Sequence, residues 1–200
     1  MAEVPTIATW PDARPYLQAL RGSVDADIAP LLATAGAAPF AINREVLSYV
    51  DHLGHLYTGK GAVGQRSRDY LTDVMSRVDP RYKTRAGEIY EMYRCGSVHE
   101  FAPKVLTNCK GQSLGWFCYK GARVARVHVE GRDVTVTHLE PLPSAEADRF
   151  WLPVSTVCLI DDLKASIDHL AAAAPEADRV AAWNRAAQQL AAPVKHEFAI

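Results

Sequence analysis

Apolar residues recur at three- and four-residue steps from Ile42 through Val46, Tyr49, Val50 and Leu53 to Tyr57. That spacing predicts an amphipathic helix over 42–59, with Gly59 as its C-terminal cap. Its other face carries Glu45, Asp51, His52 and His55, which form either a solvated strip or one wall of a site. Leu71, Val74, Met75 and Val78 predict a second helix over 65–78, stopped by Asp79 and Pro80. Ile89, Met92 and Tyr93 predict a third over 84–100, ahead of Pro103. Upstream, the Ala- and Pro-rich residues 1–40 suggest short helices over 11–20 and 24–35, with Pro30 arguing against a clean second one.

The period then changes. Residues 114–120, 123–130 and 133–139 are rich in β-formers, and Val134, Val136 and His138 alternate with Thr135, Thr137 and Leu139. With turns at Lys120-Gly121 and Glu130-Gly131-Arg132, these segments predict a three-stranded antiparallel meander, in which His128 and His138 become cross-strand neighbours without chemistry. Trp116, Phe117 and Tyr119 are read as sheet-face residues, with base stacking as the alternative. Ser155 reads as the N-cap of a helix with Ile160, Leu163, Ile167 and Leu170 inward and Asp161, Asp162 and Lys164 toward water. A last helix over 176–191 carries Val180, Trp183 and Leu190.

The whole reads as one mainly helical α+β domain over 1–200. Its parts are an N-terminal helical segment, 1–40, a helical core, 41–101, a β-meander insertion, 105–142, and C-terminal helices, 155–192. A chain of 200 residues that is 48% hydrophobic can bury a core without staples. Lys and Arg total 22 against 23 Asp and Glu, so no global positive field draws nucleic acid and any such site must be local. The apolar runs are too short to span a bilayer, and Met1 to Trp10 lack signal-peptide character, so no membrane partner is expected and a cytoplasmic location is.

Cys95, Cys109, Cys118 and Cys158 contain no C-x-x-C pair, which leaves reduced thiols as the expectation and no structural metal. Cys95 and His99 lie four apart and could present two ligands from one helix face, but no second pair follows. Gly59 and Gly64 bracket Lys60 with no strand leading in, so they are not a P-loop. The signatures of α/β-hydrolases, zincins and zinc deaminases are absent.

The segment Ile89-Tyr90-Glu91-Met92-Tyr93-Arg94-Cys95-Gly96-Ser97-Val98-His99-Glu100-Phe101 places an Arg and a His close together near a helix end, after an apolar aromatic turn. It resembles the R-x4-6-H signature of the HEPN superfamily. The resemblance spans about residues 40–101 and 155–173, with the meander as an insertion, and departs from the family where Cys95 stands in place of the polar residue common after the Arg. It implies a HEPN-like helical bundle and a metal-independent endoribonuclease without cofactor, acting as a homodimer, of the kind found in toxin or antiphage defence systems.

RNA supplies its own nucleophile in the 2′-hydroxyl, so the chemistry needs a proton carrier with pKa near neutrality and a cation for the phosphorane. His99 and Arg94 fit those roles. Asp51 is the expected third member, orienting His99 or pairing with Arg94. Tyr93, Ser97, Glu100 and Lys104 complete a substrate shell, and Lys60, Arg66, Arg68 and Lys110 add to a local basic rim. The alternative from another class is a non-catalytic dimeric module that binds a nucleotide or a protein partner, with Arg94 and His99 saturated by Asp51 or Glu45.

Overall fold

The computed structural model describes residues 3–33, 39–92, 104–173 and 177–192. The amino-terminal region folds first into a 3₁₀ turn, Trp10–Ala13, steadied by the Asp12 carboxylate, which accepts from the Thr9 backbone N–H at 2.7 Å and its hydroxyl at 3.0 Å. It runs into one continuous helix, α1 (Arg14–Ala33), rather than the two short helices expected. Tyr16, Leu17, Leu20, Val24 and Ile28 form an unbroken buried stripe across Gly22 and Ser23, and Pro30 is tolerated near the helix end.

Helix α2 (Pro39–Thr58) is the centre of the molecule, packed by α1, α3, α5 and α6, so it is buried on more than one face. Gly59 closes it at φ +64°, with its N–H on the His55 carbonyl at 2.7 Å. Next come α3 (Val63–Asp73), a 3₁₀ turn (Met75–Arg77) and α4 (Arg81–Ile89), which tightens into a π turn over residues 90–92. The single helix expected over 65–78 is therefore broken at Val74. The hydroxyl of Ser76 bonds back to the Thr72 carbonyl at 2.5 Å, competing with the helical ladder there. Gly54 allows the closest approach in the helical layer, since a Cβ there would stand 2.4 Å from the Arg66 carbonyl oxygen.

The β region consists of β1 (Leu106–Thr107), β2 (Ser113–Tyr119), β3 (Val124–Val129), β4 (Arg132–Thr137), β5 (Leu142–Pro143) and β6 (Arg149–Ser155). These do not form the expected meander. One sheet has the order β1-β2-β6-β5 with β2 and β6 parallel, while β3 and β4 stand apart as a hairpin. The link from β2 to β3 is held elsewhere: Ser155 Oγ donates to the Gly121 carbonyl at 2.6 Å, and Arg123 reaches onto the helices. That anchoring keeps β3 from folding back along β2. Leu152 and Val154 of β6 are buried in the core, to which Leu114, Trp116 and Cys118 of β2 add their side chains.

Helix α5 (Thr156–Ala172) starts at the expected cap, where Ser155 Oγ accepts from the Cys158 N–H at 3.1 Å. Helix α6 (Ala177–Ala191) is stitched to the amino-terminal segment by Asn184, which both donates to and accepts from the Ile7 backbone at 2.8 Å. Trp183 stands edge-on to Trp10 and Tyr16. No helix among the described residues is long and apolar enough to cross a membrane. No disulfide joins the described cysteines.

Candidate functional site

Arg94, His99, Tyr93, Ser97 and Glu100, together with Cys95, lie outside the described residues. Both flanks of their segment are described, and they meet: the Lys104 N–H donates to the Met92 carbonyl at 3.2 Å, and Met92 is fully buried. Helix α3 grips the same end of α4. Arg68 pairs with Glu91 at 3.5 Å and its guanidinium lies 5.2 Å from the centre of the Tyr90 ring. Tyr90 also packs so closely on Gly64 that a Cβ there would stand 2.9 Å from its hydroxyl.

Asp51 is found in an ion pair with Arg66 on α3, at 2.6 and 3.0 Å, and accepts a third bond from the Ser67 hydroxyl at 2.8 Å. Only 13% of either charged side chain is exposed, so removing one partner costs more here than at a surface pair. His52 and His55, its neighbours in sequence, turn the other way. His52 bonds Tyr16 through Nε2 at 2.9 Å and lines a cleft of about 210 Å³ with Val4 and Leu190, while buried His55 bonds Gln189 at 2.7 Å. Burial, aided by the nearby His55, lowers the His52 pKa to about 4. The polar face of α2 is thus not a solvated strip; it is divided between two helix seams.

Three members of the expected basic rim lie on α3 or in the loop before it, and each is paired with a carboxylate. Lys60 pairs with Asp69 at 2.9 Å, Arg66 with Asp51 and Arg68 with Glu91. Lys104 sits half-buried at the flank of the motif, and Lys110 is exposed in the turn between β1 and β2.

Among the described residues, the densest polar cluster lies elsewhere and was missed by sequence reasoning. Buried Asp79 takes a bidentate pair from Arg81, with Nη2 at 2.6 Å, and a further bond from Arg123 Nη1. Arg123 Nη2 reaches Asp162 Oδ1 at 2.5 Å, and Tyr82 donates its hydroxyl to Asp162 Oδ2 at 3.0 Å. His138 accepts the Ser155 N–H through Nδ1 at 2.9 Å, so its proton is assigned to Nε2, which faces the Tyr82 oxygen at 3.2 Å. Burial lowers the His138 pKa to about 3 and raises that of Asp162. For Asp79, burial pulls upward, but bonding to Arg81 prevails and its pKa is lowered.

Two expectations are corrected by this cluster. Asp162, expected to face water, is 2% exposed, because β6 and the Arg123 link cover its side of α5. His138 is not a cross-strand neighbour of His128. It lies past the end of β4 and is fully buried, whereas His128 is paired with Asp133 at 2.9 Å on the open face of the hairpin. The available signals were weak: Asp79 read as a helix stop, and Arg123 as the first residue of a strand.

With His138 neutral and its donors and acceptors filled from within, the cluster acts as a clasp between α4, the β2–β3 link, β4 and α5. Among the described residues, no three His, Cys, Asp or Glu side chains group so as to hold a metal ion. Compared with known proteins, the chain matches no family model, no curated protein and no solved structure.

Proposed function

We propose that this chain is a HEPN-like endoribonuclease that needs no metal and works as a homodimer, of the kind that serves toxin or antiphage defence. The observation that carries the reading is the Arg94-x4-His99 motif, beginning two residues beyond the buried end of α4. The two flanks of the motif segment meet where the Lys104 N–H donates to the Met92 carbonyl.

In the reaction, the substrate 2′-oxygen attacks the adjacent phosphorus and the bond to the 5′-oxygen breaks. The 2′-hydroxyl proton is removed and one is returned to the leaving oxygen, with His99 as the proton carrier. Arg94 balances the charge on the phosphorane. The products are a 2′,3′-cyclic phosphate and a 5′-hydroxyl.

One observation favours the second reading, a non-catalytic dimeric binding module. Lys60, Arg66 and Arg68, cations that would hold RNA, are already paired with carboxylates. Incubating a mixed RNA pool in EDTA with wild type and with the Arg94→Ala, His99→Ala double variant separates the two. Cleavage to cyclic-phosphate ends that is lost in the variant, with its circular dichroism unchanged, supports the nuclease; no cleavage by the folded wild type replaces it with the binding module.

A further inference from the structure

A cavity of about 100 Å³ lies where the end of α1, the first turn of α2, the end of β2 and the start of α5 come together. Cys118 of β2 lines it. Strand alternation turns Cys118 to the same side as Leu114 and Trp116, against the helical core, where it is half-buried and not sealed. Lys120 stands on the same wall, its Nζ donating to the Leu32 carbonyl at 3.2 Å. The space holds about three water-sized molecules.

Two buried side chains at this thiol keep a polar atom without a hydrogen-bond partner among the described residues. Asn43 of α2 is fully buried; its Nδ2 donates to the Cys118 sulfur at 2.7 Å, and its Oδ1 is the orphaned atom. Thr156, the first residue of α5, lines the cavity beside Cys118, is 3% exposed, and has its hydroxyl unpaired. Unpaired groups at such depth are costly, and these two call for a small polar group that donates to an amide oxygen and accepts from a hydroxyl. A sulfenic acid on Cys118 is such a group, with one O–H to give and an oxygen to receive.

We propose that Cys118 is a peroxide-reactive thiol and that this cavity is built to hold its sulfenic acid. The inference does not depend on the nuclease reading. A hydrogen bond into the sulfur supports the negative charge that a thiol carries when it attacks. The thiol proton leaves to solvent, the sulfur bonds to one oxygen of hydrogen peroxide, and the O–O bond breaks. The departing hydroxide takes up a proton and leaves as water. Sulfur is oxidised by two electrons and the peroxide is reduced by the same two. The new S–OH group enters the cavity, donates to Asn43 Oδ1 and accepts from the Thr156 hydroxyl.

The test treats the full, reduced chain with hydrogen peroxide in the presence of dimedone, a cyclic diketone that traps sulfenic acids. Peptide mass spectrometry then reads the cysteines separately. Cys109, exposed in the turn between β1 and β2, reports plain accessibility, and buried Cys158 reports the background. Cys118 is expected to label about tenfold faster than Cys109. Thr156→Val keeps the shape of the side chain and removes the orphaned hydroxyl, so the Cys118 label is expected to fall about threefold or more while the Cys109 label is unchanged. Cys118 labelling no faster than Cys109 overturns the proposal, and that comparison within wild type stands even if the variant does not fold. Fast labelling that is indifferent to Thr156→Val, in a variant with unchanged circular dichroism, overturns it too, since an ordinary accessible thiol would then account for the rate.

Discussion

Asp51 of α2 and Arg66 of α3 meet in a two-bond ion pair, and a turn of α2 further on Gly54 lets the Arg66 backbone approach to a distance no Cβ would permit. The charge and the missing side chain act at the same seam. A carboxylate expected to orient His99 is engaged by its own bundle, and its first measurable role is to hold α3. Arg66→Ala is expected to lower stability by about 3 kcal/mol, because it strands a half-buried carboxylate with only Ser67 for company. Asp51→Ala should cost a similar amount, and the double variant less than the sum of the two. Urea denaturation of the three variants measures this; strictly additive costs would break the coupling claimed here.

Gly54→Ala tests the other half of the seam. The clash is with backbone, which cannot rotate aside, so α3 must move and Arg66 with it. Overpacking of this kind costs about 1 to 3 kcal/mol, and here the upper end is expected. Gly22→Ala, with nothing within 4 Å of its Cβ position in a mid-helix site, should instead be neutral or stabilising. A thermal melt in which both substitutions behave alike would contradict the close approach.

Arg123 links two buried carboxylates on separate elements, with one guanidinium nitrogen on Asp79 and the other on Asp162. A planar fork can do this and a single ammonium cannot. Arg123→Lys is therefore expected to lose about as much stability as Arg123→Ala, about 2 to 4 kcal/mol after allowance for its partial exposure. If Lys restored most of the loss in denaturant melts, charge alone would be at work and the bridging geometry would be immaterial.

What could be read from the chain, and what could not, follows from where each force acts. The 3.6-residue rhythm of Ile42, Val46, Val50 and Leu53 is local and reports α2 directly, and the Ser155 cap is equally local. The parallel pairing of β2 with β6 is not: Ser113 meets Arg149, and β6 is apolar on both faces with Pro153 inside it, so neither alternation nor turn chemistry marks it. The clasp was hidden for a related reason. Asp79, Arg123, His138 and Asp162 come from four elements, and the burial that makes them partners exists only after the sheet has docked on the helices. The expected site was legible only as a motif and its neighbours on α2 and α3, and the pairing that occupies Asp51 depends on a helix contact that no spacing encodes.

Two buried histidines contribute to the response to acid just below neutrality. In the folded chain the pKa of His52 is about 4 and that of His138 about 3, both lowered chiefly by burial from 6.5. The unfolded chain therefore binds more protons than the folded one below pH 6.5, so stability is fully present above that pH and declines as the pH falls toward 4. Each histidine contributes a slope approaching about 1.4 kcal/mol per pH unit. Asp162 works in the opposite sense, since its raised pKa makes the folded state take up its proton first, and it offsets part of the loss at the acid end. His52→Gln removes one of the two histidine contributions, whatever its effect on stability at neutral pH, so its free energy of unfolding should fall about half as steeply between pH 6.5 and 5.5. Urea titrations of wild type and variant at pH 7.5, 6.5 and 5.5 give the slopes; equal slopes would mean that His52 is as free to take a proton in the fold as in the open chain, and that the Tyr16 contact does not shield it.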